Sequence, residues 1–440
     1  MIRKVLVSLA CWAIGTVVAA QDGWTLDRCI DHALEHNIAV LQSDLARQVA
    51  ENDLRLAQWD IYSPTVNANL SYNFNFGNSL DPTTFQFVRQ NTQSSSMSLN
   101  ANYDLFRGTG RLQALQVAKA DVQAASFDME RVRQETRINV TRLFLQVLVS
   151  NAVYQVAQEQ KALTLDQEAR TQELVDAGLL AQSDLAEVRA RMADDEVAIV
   201  NARNGLEMAL LQLRNALRID PSEPFSVLEE PLDVSTIELR DPRVSPLEES
   251  WPGVEAAEWR LRSAESSLKQ AKASFSPRLS LSSSINTNYF SAAVDFITGQ
   301  EIPGGEQLND NLAENIGFSL SIPILSKGQR LIALSNARIG IERARFELQN
   351  QTDQVRLEAV TAFTEARAAR ERYVASARQV DAAQVAFDFA REKLDAGLIN
   401  AFEFTAARNR LTTARIDAAR ARYEYWFRAH ILELYRTGSL

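Results

Sequence analysis

The side chains best suited to chemistry in this 440-residue chain are few and poorly grouped. His32 and His36 lie four residues apart, so a helix would place both imidazoles on one face, where they could share a metal ion. Their Ala-Leu-Glu spacer is not a zinc-protease motif, and a third ligand is lacking. Gly108-Thr109-Gly110 lacks the lysine and the helix-starting hydroxyl of a phosphate loop. No nucleophile, base and orienting group can be assembled, so we expect no catalytic residue, metal, cofactor or enzymatic activity.

Composition and the first twenty residues indicate export. Arg3 and Lys4 precede an apolar stretch that ends at Ala19-Ala20, which predicts a secretory signal peptide over residues 1–20. The surroundings of Cys11 do not favour lipid attachment. The mature chain would keep one cysteine, Cys29, so no internal disulfide can form. The net charge of −10 and the absence of a basic run exclude an obvious nucleic-acid surface.

The chain repeats itself, with the second copy 213 to 219 residues after the first. Ser63-Pro64 recurs as Ser276-Pro277, Arg111 as Arg330, and Asp176-Ala177-Gly178-Leu179 as Asp395-Ala396-Gly397-Leu398. The duplication predicts two equivalent structural repeats joined by a proline-rich linker at 219–252. The first repeat, 21–218, contains a leading helix (about 26–62), a β-hairpin (65–106), a long helix (108–177) and a return helix (183–217). The second repeat, 253–440, contains a leading helix (253–275), a β-hairpin (279–325), a long helix (327–396) and a return helix (402–436).

Each hairpin is predicted from two runs in which apolar residues alternate with Asn, Ser, Thr or Gly. The apolar members are Val66, Ala68, Leu70, Tyr72, Phe74 and Phe76 in the first run, Met97, Leu99, Ala101, Tyr103 and Leu105 in the second, Leu279, Leu281, Ile285 and Tyr289 in the third, and Phe318, Leu320, Ile322 and Ile324 in the fourth. Alternation over about ten residues is typical of a transmembrane β-strand. A soluble β-sandwich is the alternative, but its solvent face would usually carry charges.

Four strands cannot close a barrel, and an open sheet edge cannot face lipid, so a membrane sheet of this kind requires several copies of the chain. Two copies would give eight strands, whose interior is filled by side chains. Three copies would give twelve strands and a lumen, and four would give sixteen. Each long helix would measure roughly 105 Å at the standard rise of an α-helix. Apolar residues at sevenfold spacing, such as Leu115, Val122 and Met129, predict coiled-coil packing.

These features in this order resemble the TolC family of outer-membrane efflux and secretion channels. The resemblance covers the whole mature chain, including Trp24-Thr25-Leu26, the two Ser-Pro joints and the two Ala-Gly-Leu turns. It implies a mixed α and β membrane protein: a homotrimer with a 12-stranded transmembrane β-barrel, four strands per protomer, continued by a long α-helical coiled-coil barrel in the periplasm. The implied partners are outer-membrane lipid, a periplasmic adaptor and an inner-membrane transporter of the RND or ABC type.

The resemblance also implies roles for residues near the two turns. Family members narrow the periplasmic end with acidic residues, which match Glu403 and Asp184 here. The second acidic position is Ala406, and the arginine expected after the second turn is Ile399, so the polar links of the gate are partly replaced. Asp184 has an alternative role as a helix N-terminal charge beside Ser183 as cap. The tips matching the adaptor-docking motif are Gly178, Leu179, Leu180, Gly397, Leu398 and Ile399.

The sequence therefore predicts a passive exit duct in the outer membrane, belonging to a tripartite efflux pump or a type I secretion system. A periplasmic adaptor would have one hairpin and no duplicated strands, which disfavours that class. An envelope-spanning structural coiled coil with a soluble head remains the alternative. Drugs, metals and secreted proteins are all open as cargo.

Overall fold

A computed structural model describes residues 23–80, 86–89, 91–229, 239, 241, 251–295 and 297–437. The predicted signal peptide lies outside the described residues, as does most of the predicted linker. The helices are α1 (Leu26–His36), α2 (Ile38–Tyr62), α3 (Gly110–Asp176), α4 (Gln182–Leu217), α5 (Pro252–Ala273), α6 (Gly304–Asp310), α7 (Gln329–Asp395) and α8 (Ala401–Thr437). The strands are β1 (Thr65–Asn75), β2 (Asn78–Leu80), β3 (Phe87–Arg89), β4 (Thr92–Phe106), β5 (Arg278–Phe290) and β6 (Ala313–Ser321). None of the described helices combines the length and apolar composition needed to cross a membrane.

One compact unit, the sheet unit, comprises Gln42–Val132 and Ser250–Leu357. Its main sheet is antiparallel with the strand order β1-β4-β5-β6, and a small second sheet pairs β2 with β3. The alternating residues explain these strands, because a period of two places all apolar side chains on one face. Strands β1 and β6 form the two edges of the main sheet, and nearly all of their residues are exposed.

The two hairpins of this sheet have equivalent registers. Thr65 lies opposite Asn102 in the pair of β1 with β4, and Arg278 lies opposite Ser321 in the pair of β5 with β6. The first strands are thus offset by 213 residues and the second strands by 219, the same two offsets that the sequence repeat gives. The duplication therefore extends to the pairing of individual residues.

The last strand is shorter than its alternating sequence suggested. Ile322 and Ile324 were predicted to continue it, but β6 ends at Ser321. Pro323 explains the end, because proline has no amide hydrogen for the ladder. Both isoleucines are highly exposed.

A charged cluster in the sheet unit joins strand ends to helix ends. The carboxylate of Asp104 on β4 accepts hydrogen bonds from Arg278 Nε and Ser280 Oγ, each at 2.8 Å. Arg111 in the first turn of α3 donates to the main-chain oxygen of Asp104 at 2.6 Å, and it lies 3.5 Å from the carboxylate of Asp60 at the end of α2. This one arginine therefore ties together α2, β4 and α3.

The other compact unit, the helical unit, comprises the described residues within 23–41, 133–249 and 358–437. Its largest core cluster packs residues of α1, α3, α4 and α8. The fully or nearly fully buried members include Cys29, Ala33, Val140, Phe144, Leu213, Leu217, Tyr423 and Trp426. Burial raises the pKa of the Cys29 thiol to about 12, so this cysteine is an inert core residue.

The leading helix is broken, although the sequence predicted one continuous helix from about residue 26 to 62. Asn37 has extended backbone angles and separates α1 from α2. Its side-chain oxygen accepts a hydrogen bond from the Ala39 amide at 2.9 Å, and its side-chain nitrogen donates to the Ala216 carbonyl at 3.1 Å. The break thus results from side-chain capping and a contact with α4, without a proline to announce it.

Candidate functional site at the helix tips

Both long helices end at a glycine in the left-handed region. Gly178 has φ +73° after α3, and Gly397 has φ +69° after α7. In each tip, the glycine amide donates to the carbonyl three residues back, and the next amide donates to the carbonyl five residues back. A Cβ on either glycine would meet nothing within 4 Å, so backbone conformation and not space favours glycine here. The two tips are equivalent turns.

After the first tip, Asp184 caps its own helix. The N-cap residue of α4 is Ala181, and Asp184 Oδ2 accepts a hydrogen bond from the Ala181 amide at 3.1 Å. The alternative role predicted for Asp184 named Ser183 as the cap, and that assignment was wrong. Ser183 already lies inside the first turn of α4, and Asp184, three residues after the N-cap, accepts from the N-cap amide as the acidic residue of a capping box does.

After the second tip, capping falls to a different residue. Asn400 Oδ1 accepts a hydrogen bond from the Glu403 amide at 2.9 Å, and the Asn400 carbonyl accepts one from Phe404. Glu403 therefore lies in the first turn of α8, with its amide capped and its side chain exposed. The two acidic residues thus occupy equivalent positions in the repeats but take different parts in their caps.

A cavity of about 540 Å³ in the helical unit brings the two tips together. Of the eight residues singled out from the sequence, five line it: Leu179, Leu180, Asp184, Gly397 and Ile399. Gly178, Leu398 and Glu403 do not. The charged lining consists of Asp166, Arg170, Asp184 and Arg391, and the remaining walls are mostly leucine and phenylalanine.

The tip side chains differ in what they contact. Phe387 and Phe404 pack with their ring centroids 5.5 Å apart, and Ile399 is partly buried against their cluster. Leu179 and Leu398, in contrast, are 72% and 75% exposed. Ile399 therefore stabilises the tip from inside, whereas the two leucines leave apolar side chains exposed at its surface.

Comparison with known proteins decides the family. The sequence profile described as outer membrane efflux protein matches residues 29–217 and 244–429, which is most of the chain and both repeats. The chain belongs to the outer membrane efflux protein family. Its location is accordingly the outer membrane, as the sequence predicted, and the resemblance to TolC-type channels is confirmed.

Individual proteins are similar to this chain over most of their length. The outer membrane efflux protein BepC of Brucella suis is 22% identical, over 99% of this chain and 91% of its own. The alkaline protease secretion protein AprF of Pseudomonas aeruginosa is 23% identical, over 81% of this chain and 73% of its own. Among solved structures, the outer-membrane channel OprN superposes with a TM-score of 0.76 at 20% identity, over 94% of this chain and 90% of that one. The mixed α and β fold is therefore that of an outer-membrane channel protein.

This efflux protein also contains a buried polar network that the sequence did not reveal. Thr164 on α3, Asp195 on α4 and Arg408 on α8 are all nearly inaccessible to solvent. Thr164 donates to the Asp195 carboxylate and accepts from Arg408 Nη1 at 2.6 Å, while Arg408 and Asp195 lie 3.9 Å apart. Burial lowers the pKa of Arg408, and the negative charge of Asp195 opposes that shift. The network ties three helices of the helical unit together.

The internal repeat contained a signal for this network. The residues equivalent to Thr164 and Asp195 in the second repeat are Ala383 and Ala414, and Ala414 is completely buried. Polar residues in one repeat therefore stand where the other has small apolar ones. A buried polar residue needs a partner, so this difference between repeats indicates a contact that Thr164 and Asp195 make and their counterparts do not.

The two histidines first considered as metal ligands stack on each other. Their ring centroids are 4.1 Å apart, and His36 Nδ1 lies 3.0 Å from the His32 carbonyl oxygen. The pKa of His32 is lowered mainly by burial, and the charge of the neighbouring His36 lowers it further. Trp24 contacts the edge of the His32 ring at a centroid distance of 5.1 Å, so His32 belongs to the packing of α1.

Proposed function

We propose that this outer-membrane efflux protein is the passive exit duct of a tripartite efflux pump or a type I secretion system. Three copies would form a 12-stranded transmembrane barrel, continued by a helical tunnel in the periplasm. The duct performs no catalysis, and the energy for transport comes from its partners. Membership of the family supports the transport role, and the names of BepC and AprF include both efflux and secretion.

The observation that carries this proposal is the open sheet with two free edges. Leu70 on β1 and Phe318 on β6 are each 71% exposed, in rows of apolar residues that face away from the polar row of Asn and Ser. Such rows suit lipid, but unpaired main-chain groups at a strand edge do not. Pairing between copies satisfies both edges, and twelve strands leave a lumen where eight do not.

The helical unit supports an assignment of partners and of a gate. The exposed leucines at the tips, Leu179 and Leu398, would dock a periplasmic adaptor that connects the duct to an inner-membrane transporter of the RND or ABC type. Glu403 would narrow the periplasmic end, because its carboxylate is exposed at the start of α8. Asp184 would contribute to the same gate by fixing the start of α4.

The proposed partition of the chain follows the two repeats. Residues 1–20 would be removed on export, and residues 219–252 would connect the repeats 21–218 and 253–440 along the surface. The cavity at the tips and the buried network both lie in the helical unit, so the sheet unit would serve for membrane insertion.

Planar-bilayer recording of the purified mature protein tests this function. A duct gives discrete conductance steps, resists extraction with sodium carbonate, and migrates differently in gels before and after boiling. An envelope-spanning structural coiled coil gives a protein that is extracted by carbonate and inserts no conductance. That second result would overturn the exit-duct function.

A further inference from the structure

The junction between the two repeats offers a template for the contact between copies of the chain. In the main sheet, β4 of the first repeat pairs with β5 of the second, antiparallel and continuous. The free edges are β1, which is equivalent to β5, and β6, which is equivalent to β4. A second copy that pairs β1 with β6 would therefore repeat a junction that the chain already forms within itself.

The equivalence fixes which residues face each other. Within the chain, Asn100 on β4 lies opposite Ser284 on β5. The residue 219 positions after Asn100 is Ser319 on β6, and the residue 213 positions before Ser284 is Ser71 on β1. We propose that β6 of one copy pairs with β1 of the next in the register that places Ser319 opposite Ser71. This inference rests on the proposed oligomeric duct and specifies how its copies join.

The proposed register matches side chains across the junction. It places Phe318 opposite Tyr72 and Leu320 opposite Leu70, apolar residues that share one face of the sheet. A shift by one residue would place serine and asparagine opposite these apolar residues and would turn one strand inside out. A shift by two residues keeps the apolar side chains on the same face of the sheet. The proposed register is then preferred only because it repeats the pairing of β4 with β5 within the chain.

The 219-residue equivalence between the repeats also predicts an ion pair between copies in the helical unit. Within the chain, Arg415 on α8 pairs with Glu159 on α3 at 3.1 Å. The equivalent positions 219 residues away are Glu196 on α4 and Arg378 on α7, so both charges are reversed. Both side chains are exposed, and Glu196 also pairs with Lys161. If α4 packs on α7 of the partner subunit as α3 packs on α8 within the chain, then Glu196 meets Arg378 of the partner subunit.

Cysteine cross-linking tests the strand register. The double variant Ser71→Cys/Ser319→Cys is purified in detergent and oxidised with copper phenanthroline. Residues directly opposite in an antiparallel pair have Cα atoms about 4.5–5.5 Å apart, within disulfide range, whereas the diagonal neighbours lie about 7–8 Å apart. The matched controls are Asn69→Cys/Ser319→Cys and Asn73→Cys/Ser319→Cys, shifted by two residues each way, and each single-cysteine variant. Native Cys29 is buried and can remain in place.

The expected result is a covalent trimer in denaturing gels from the Ser71/Ser319 pair, with roughly fivefold or more cross-linking over either shifted pair, because the shifted Cα distances exceed disulfide geometry. Stronger cross-linking of a shifted pair overturns the register. So does the absence of cross-linking from all three pairs in a protein that light scattering shows to be trimeric. A monomer by light scattering overturns the proposed duct itself, which separates the two failures.

Charge reversal tests the helical part of the same junction. Glu196→Arg and Arg378→Glu each place like charges together, so each single variant dissociates into monomers at lower detergent or denaturant concentration than the wild type. The double variant restores the attraction and recovers most of the loss. Single and double variants that dissociate alike would exclude this contact between α4 and α7 of neighbouring copies.

Discussion

Asn400 accepts a hydrogen bond from the backbone amide of Glu403 through its Oδ1 atom, at a distance of 2.9 Å. In the first repeat, the acidic residue itself accepts the hydrogen bond, because Asp184 Oδ2 binds the amide of Ala181. The carboxylate of Asp184 is thus engaged in its cap, whereas that of Glu403 stays exposed in the first turn of α8. The two acidic residues should therefore respond differently to substitution.

Replacing Glu403 with alanine should change conduction. The substitution removes one negative charge per copy from the proposed constriction, so we expect larger single-channel conductance and weaker cation selectivity. Reversal-potential measurements in a salt gradient give the selectivity. Glu371→Ala removes an equally exposed acid from α7 away from the tips and serves as the matched control. Equal effects of both variants would contradict a gate at Glu403.

Replacing Asp184 with alanine should lower stability instead. The variant loses the hydrogen bond to the Ala181 amide as well as the favourable charge at the helix N-terminus, at a cost of about 1 kcal/mol. Glu403→Ala loses only the charge effect, about 0.3 kcal/mol, because Asn400 keeps its cap. The loss of helical circular dichroism with denaturant measures both. An Asp184 variant no less stable than the Glu403 variant would show that the cap contributes nothing.

The buried network makes a stronger prediction. Asp195→Ala leaves the buried guanidinium of Arg408 without its carboxylate, and breaking a buried ion pair from one side costs on the order of 3 kcal/mol. Asp194 is its exposed neighbour on α4, so Asp194→Ala controls for charge and helix propensity and should cost less than about 0.5 kcal/mol. Denaturant titration followed by circular dichroism compares the two. Similar midpoints for both variants would mean that water or other groups compensate Arg408.

Arg111 and Arg330 occupy equivalent positions at the two joints between a strand and a long helix, so their variants can be compared. Arg111 donates to Asp104, whereas the residue equivalent to Asp104 in the second repeat is Pro323. Arg111→Ala should therefore cost about 2 kcal/mol through the lost charged hydrogen bond and ion pairs, and Arg330→Ala less than about 1 kcal/mol. The temperature at which heated samples change their gel migration measures the stability of the membrane part. A larger effect at Arg330 would contradict the role given to the Asp104 cluster.

Local signals explain what the sequence could predict. The strand pattern around Leu70 and the glycine turns at Gly178 and Gly397 depend on neighbouring residues only, so alternation and a left-handed glycine suffice to find them. The network of Thr164, Asp195 and Arg408 joins residues 31 and 244 positions apart, and such contacts arise from the packing of three helices.

The backbone conformation of some single residues could not be predicted from the sequence either. Asparagine occurs in helices and at their ends alike, so the break at Asn37 depends on its contact with Ala216, a residue 179 positions away. The end of β6 could have been predicted, because Pro323 is a local signal for the end of a strand. The alternating isoleucines on either side of it suggested a longer strand instead.

The exposed tip leucines should bind the adaptor without supporting the fold. Leu179→Ser/Leu398→Ser removes two apolar side chains that are more than two-thirds exposed, so conductance and unfolding midpoints should stay near those of the wild type. Adaptor contacts would lose their apolar anchor, and less periplasmic adaptor should co-purify with the tagged protein from its native membranes, as quantified by mass spectrometry. Ile399→Ser is the contrasting variant, because Ile399 packs against Phe387 and Phe404 and its loss should lower stability by about 1–2 kcal/mol. Unchanged adaptor recovery with the double variant would move the docking surface away from the tips.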